Sequence, residues 1–183
     1  MGETLRAKFT RMLLTGCTLG GVMLTGCGGE SGGNGSGADD DQFGMKDLSP
    51  PPGFELTEGL GVDPQSGPGS EGGYKVIFNA EGANIQLAAY VFPTDEGADQ
   101  YFDFVFESPS GERPSGPPIG DEAYSITDET IPHVLLIGFR RTNVVGSMQV
   151  AATASSGGPA KLESDALALM RELDARVEGV LRN

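Results

Sequence analysis

Apolar and polar positions alternate along two neighbouring stretches. In residues 74–78, Tyr74, Val76 and Phe78 interleave with Lys75 and Ile77; in residues 85–92, Ile85, Leu87, Ala89 and Val91 interleave with Gln86, Ala88, Tyr90 and Phe92. A period of two sends successive side chains to opposite faces of a strand, and residues 79–84 between the stretches have turn composition, so the pattern predicts an antiparallel hairpin. Tyr90 and Phe92 on its second face predict that this face is covered at least at one end. A second hairpin is predicted from residues 134–139 and 144–152, joined through Arg140-Arg141-Thr142-Asn143. Its first arm is apolar almost throughout and reads as a central strand. Asn143 tolerates a left-handed backbone and Thr142 does not, so Asn143 is expected to be the one turn residue with positive φ. Residues 119–126 lead into a further strand, residues 54–57 form a short edge strand, and residues 59–73, rich in glycine, read as loop.

Two stretches carry helical spacing instead. Thr94 is the natural N-cap of the first, with Asp95 and Glu96 in its first turn and Ala98, Tyr101, Phe102 and Val105 recurring on one side; Ser108-Pro109 ends it. The second opens at Gly158-Pro159 and carries the stripe Leu162, Ala166, Leu169, Leu173, Val177 and Val180. Glu172 with Arg176 and Glu178 with Arg182 are four-spaced pairs in the favourable order. The order β-β-α-β-β-β-α, with an edge strand before it, predicts an α+β fold: an antiparallel sheet of about five strands with two helices packed on one face.

The N-terminal pattern is different. Arg6, Lys8 and Arg11 precede an uncharged run, residues 12–24, that contains Leu13, Leu14, Leu19, Val22, Met23 and Leu24. That is the charge and length pattern of a secretory signal, and too short and too rich in glycine and threonine for a spanning helix of about 20 apolar residues. Residues 28–41 read GGESGGNGSGADDD, with no large apolar residue, and cannot bury enough surface to offset the entropy of ordering. The expected division is a signal peptide over 1–26, a Gly/Asp-rich tether over 27–47 and one extracytoplasmic domain over 48–183.

At Leu24-Thr25-Gly26-Cys27 the chain resembles bacterial lipoproteins, whose signal ends in an apolar residue, two small residues and a cysteine. The resemblance implies that Leu24, Thr25 and Gly26 are read by a lipoprotein signal peptidase and that the Cys27 thiol receives a diacylglycerol. Two or more acyl chains, at about 0.8 kcal/mol per buried CH₂, suffice for stable anchoring where one does not. Leu14-Thr15-Gly16-Cys17 fits the same box, but only Met12, Leu13 and Leu14 would separate Arg11 from its small residues, so Cys27 is the expected site. The expected location is the cell envelope, with the domain outside the cytoplasm.

Charge narrows the partners. The 183 residues hold 12 Lys+Arg against 26 Asp+Glu, a formal charge of −14. Residues 1–26 contain three of the bases and one acid, so the remainder carries 9 bases, 25 acids and −16. Such a surface repels phosphate backbones, and no nucleic acid is expected as a partner. No cysteine follows Cys27, so the folding part has no disulfide framework and no cysteine metal site.

Candidate chemistry is sparse. His133 is the one histidine, and no serine sits in a nucleophile-elbow context. Asp121 with Glu122, and Asp128 with Glu129, are adjacent carboxylates that a strand sends to opposite faces, which is no acid–base couple. Arg140 and Arg141 read as hairpin-tip charges. No catalytic residue, metal or cofactor is expected beyond the lipid on Cys27. Tyr101, Phe102, Phe104 and Phe106 exceed what one helix face needs, and are either a helix sunk into a sheet or a face for a ligand or partner. The expectation is a monomeric, membrane-anchored, non-catalytic domain that binds a small apolar ligand or an envelope protein; the alternatives are an accessory or structural lipoprotein and, third, an enzyme. Gly120-Asp121-Glu122-Ala123, Gly138-Phe139-Arg140 with Asn143-Val144-Val145, and the closing amphipathic helix resemble small extracytoplasmic domains. These include the PsbP-like lipoproteins and the extracellular sensor domains of actinobacterial Ser/Thr kinases. The likeness covers roughly residues 50–183 and implies a scaffold but no functional residue.

Overall fold

The computed structural model describes residues 41–62, 67–106, 116–128, 134–153 and 158–182. The strands are β1 (Glu55–Val62), β2 (Gly72–Ala80), β3 (Ala83–Val91), β4 (Glu122–Asp128), β5 (Val134–Arg141) and β6 (Val144–Ala152). Helix α1 (Asp95–Phe106) follows β3, and α2 (Pro159–Leu181) follows β6; a 3₁₀ turn, Met45–Asp47, precedes β1. All six strands form one antiparallel sheet in the order β1-β2-β3-β6-β5-β4. Each half is thus a three-stranded meander followed by a helix, and the halves join where β3 pairs with β6. The α+β class holds, with the edge strand as the sixth.

Register defines the two faces. Along one row Gly59, Val76, Leu87, Met148 and Ile137 lie side by side; along a neighbouring row, pointing the other way, run Lys75, Ala88, Ser147, Gly138 and Tyr124. The first face holds the main core. Ala166, Leu169, Met170, Leu173 and Val177 of α2 join there in one cluster with Val76, Phe78, Ile85, Leu87, Ile137, Phe139 and Val150, these strand residues being fully buried. The second face is covered at one end by α1, whose Ala98, Tyr101 and Phe102 cluster with Phe92, Tyr124 and Val145.

Three expectations are corrected here. The helices lie on opposite faces of the sheet, not on one. The chain leaves β3 through Phe92 and has only Pro93-Thr94 before α1, too little to round the sheet, and the second-face aromatics Tyr90 and Tyr124 offer an apolar patch directly beneath. Next, the domain begins before residue 48. Phe43, Met45 and Leu48 are buried in the main core, so residues 41–47 belong to the fold and not to the tether. Asp41 pins this segment by accepting from the Met45 and Lys46 N–H groups at 2.5 and 2.8 Å, and Arg176 of α2 donates to the Gly44 and Asp47 carbonyls at 2.5 and 2.9 Å. Finally, β1 continues through Gly59-Leu60-Gly61, which reads as loop by composition. A Cβ on Gly59 would sit 3.1 Å from the Tyr74 hydroxyl and 3.4 Å from Lys46 Cγ, so glycine eases the close approach of Lys46 and Tyr74 at this point of the strand.

Candidate functional site

The motif residues around the second hairpin come together as a clasp. Asp174 projects from α2 and accepts from Arg141 Nε and Nη2 at 2.5 and 2.8 Å, and from the Gly120 N–H at 3.1 Å. The forked pairing raises the Arg141 pKa, the hydrogen bond to Asp174 being the main cause. Gly120 lies at φ +65°, with its Cβ position 2.5 Å from the Arg140 carbonyl oxygen, so no other residue fits without strain. Asp121 next to it donates its N–H to the Arg140 carbonyl at 2.8 Å. Its carboxylate accepts from the Thr142 N–H at 2.7 Å. Thus the loop before β4, the β5–β6 hairpin and α2 are locked at one point. Arg141, read from the sequence as a hairpin-tip charge, is tied to Asp174 of α2. The positive φ of the turn also falls on Thr142 (φ 48°), not Asn143, because the Asp121 carboxylate holds the Thr142 N–H while Asn143 Nδ2 donates to the Phe92 carbonyl at 2.8 Å.

A second polar group ties α1 to the other face. Arg140 Nε lies 3.4 Å from Asp99 Oδ1 of α1, and its Nη2 lies 3.9 Å from Glu122 Oε2 of β4. Arg140 and Arg141, neighbours on β5, therefore reach opposite faces and secure one helix each, as strand alternation requires. The carboxylates of Asp121 and Glu122 part in the same way, one to the hairpin turn and one to Arg140.

The aromatic residues of α1 divide into two sets. Tyr101 and Phe102 are buried: the Tyr101 ring lies 5.1 Å from that of Phe92 and 5.5 Å from that of Tyr90, and Phe102 meets Tyr124 edge-on at 5.6 Å. Burial pushes the Tyr101 hydroxyl well above its ordinary range, with adjacent Tyr90 adding to the rise; burial likewise raises Tyr124. Burial raises Tyr90 as well, opposed by the hydrogen bond it receives from Tyr101. All three stay neutral and act as packing groups with a polar edge. Phe104 lies on the outer side of α1 and is 61% exposed. The Phe106 side chain lies outside the described residues, as do Leu24, Thr25, Gly26, Cys27, His133 and Glu129.

Among the described residues, no group of three His, Cys, Asp or Glu side chains is placed to hold a metal ion. No helix among them is long and apolar enough to cross a membrane. Sequence reasoning missed Asp174. Its signal was present, an acid directly after Leu173 on the flank of the apolar stripe, but its partners lie 33 and 54 residues away.

No family model and no curated protein matches the chain. Among solved structures it is similar to the extracellular domain of PknH from Mycobacterium tuberculosis, with a TM-score of 0.38 and 10% identity over 71% of this chain and 86% of that one.

Proposed function

We propose that the chain is a lipid-anchored cell-envelope lipoprotein whose folded part is a non-catalytic binding domain for a protein partner. The observation that carries the binding reading is the division of the α1 aromatics. Tyr101 and Phe102 interlock with Phe92 and Tyr124 beneath the helix, while Phe104 is turned to solvent. With Tyr101 and Phe102 taken up in packing, the exposed Phe104 lies where a protein surface, more than a small enclosed ligand, would meet it. The charged groups support the non-catalytic part: Arg140 and Arg141 pair with Asp99 and Asp174 across elements, and Arg176 and Arg182 pair with Glu172 and Glu178 one turn away on α2. The anchor rests on Leu24-Thr25-Gly26-Cys27, followed by a glycine-rich stretch that leads directly to the pinned segment at Asp41.

The anchor is tested by metabolic labelling with a fatty-acid probe in a bacterial host, combined with membrane fractionation. The wild-type chain should be labelled and sediment with membranes; Cys27→Ser should lose both properties, and Cys17→Ser neither. Undiminished labelling of Cys27→Ser would overturn the assignment.

A further inference from the structure

We infer that the outward face of α1, with Phe104 at its rim, is the docking surface for a lysine- or arginine-rich segment of a partner protein. The inference rests on the binding reading above and specifies its surface and the partner's chemistry. Three independent features converge on this face.

The first is placement. The N-terminal segment, residues 41–48, packs on the α2 side of the sheet, clamped by Arg176. Helix α1 lies on the other side, so residues 41–48 leave its outward face uncovered.

The second is charge. Helix α1 carries Asp95, Glu96, Asp99 and Asp103 and no basic residue. In α2 the acids are interleaved with Lys161, Arg171 and Arg176. The exposed charges of α1 are the acids Asp95 and Glu96, with Asp99 paired to Arg140, whereas those of α2 are mixed. An acidic field of this kind steers cations and repels anions, and its effect falls with salt.

The third is Phe104, the most exposed of the large apolar side chains among the described residues. Acids alone would serve solubility. An aromatic ring one turn from Gln100 and two turns from Glu96, all on the outer side, adds a surface that water does not favour and a cation does. A guanidinium or ammonium group can lie over the ring while its neighbours pair with the carboxylates. Aromatic side chains, Phe among them, are enriched at protein interfaces.

The test uses the full lipidated chain in detergent micelles and a synthetic amphipathic peptide of lysine and leucine. Binding is measured by fluorescence anisotropy at low and high salt, and zero-length carbodiimide cross-links are mapped by mass spectrometry. Cross-links should concentrate on Asp95 and Glu96. Phe104→Ser should weaken binding by about tenfold, the size expected of an interface anchor, and Phe104→Tyr should restore most of it. Glu96→Gln should weaken binding by about threefold at low salt and less at high salt. The paired change Glu163→Gln with Asp165→Asn on α2 should have no effect. Equal cross-linking of α1 and α2, an unchanged affinity of Phe104→Ser, or no binding at all would each overturn the proposal. Peptide binding is independent of the lipid, so Cys27→Ser protein should bind equally well. Failure of the surface and failure of the anchor are thereby read in separate experiments.

Discussion

On the sheet face that carries Val76, Leu87, Met148 and Ile137, α2 and the segment from Phe43 to Phe54 complete a buried cluster of 22 of the described residues. On the opposite face α1 completes a cluster of six. Both helices are amphipathic, but one spans 23 residues and the other 12. The long helix buries its apolar stripe over β5 and β6, and the segment from Phe43 extends the same cluster over β1 and β2. The short one seats two aromatic rings at one end of the sheet, steadied by Arg140 between Asp99 and Glu122. The difference predicts that the first face governs global stability and that the second tolerates change with less effect on the rest of the domain. Local opening draws on regions with few buried apolar contacts, and α1 is such a region.

The sharpest way to break this comparison is to truncate one side chain on each helix. Leu173 and Phe102 are both buried, at 0% and 3% exposure. Leu173→Ala should lower global stability by about 3 kcal/mol, the usual cost of a core leucine with its cavity. The loss should appear in every slowly exchanging amide. Phe102→Ala removes more atoms, yet its effect should fall chiefly on the α1 amides, with β5 and β6 keeping most of their protection. Native-state hydrogen exchange measures both outcomes. If wild-type α1 amides exchange only through global unfolding, the two faces are one cooperative unit and the distinction fails.

The clasp is the next test, because it joins α2 to the hairpin without resting on apolar area. The Asp174 and Arg141 side chains are 14% and 20% exposed, so their pairing is partly screened. Asp174→Ala leaves Arg141 and the Gly120 N–H without this acceptor and should cost about 2 kcal/mol, below the full penalty for breaking a buried pair. Asp174→Asn keeps a neutral acceptor for Gly120 and should cost about half as much. Urea unfolding at fixed pH measures the change. Equal losses would mean that the ion pair, and not the Gly120 contact, carries the effect.

The same contrast explains what the sequence made legible. Period-two alternation located β2, β3 and β6, and helical spacing located α1 and α2 with the Thr94 cap, seen as a 3.1 Å bond from the Gly97 N–H. Those signals are local. The face each helix chooses is not local: it depends on the two-residue link after Phe92 and on the aromatics Tyr90 and Tyr124, which lie 34 positions apart. Phe43 and Met45 were hidden because a short run without periodicity, next to a glycine-rich tail, looks like more tail. The extension of β1 through Gly59 and Gly61 was hidden because glycine signals a loop unless the close crossing of Lys46 over Tyr74 is known. At the candidate site, the excess of rings on α1 could be read from sequence, but the division between Tyr101 with Phe102 inside and Phe104 outside requires knowing which way the helix is turned.

The smallest predicted effect concerns the hairpin between β5 and β6, at the point where the two faces are pinned together. Thr142 is β-branched and holds φ at 48°, a region that costs a non-glycine residue roughly 1–2 kcal/mol. Two-residue hairpin loops of this kind favour glycine at the first central position. The Asp121 carboxylate bonds the backbone N–H of residue 142, not its side chain, so that bond survives a change of residue. Thr142→Gly should therefore relieve the strain while adding freedom to the unfolded chain, for a net gain of about 0.5 kcal/mol. Thr142→Asn should gain a similar amount, since asparagine tolerates this conformation without glycine's entropy cost. Thermal or urea midpoints of the two variants, compared with Asn143→Gly as a control where no positive φ is relieved, measure the gain. A loss of stability in both Thr142 variants would show that the threonine side chain holds the turn, and that the clasp extends one residue further than its hydrogen bonds indicate.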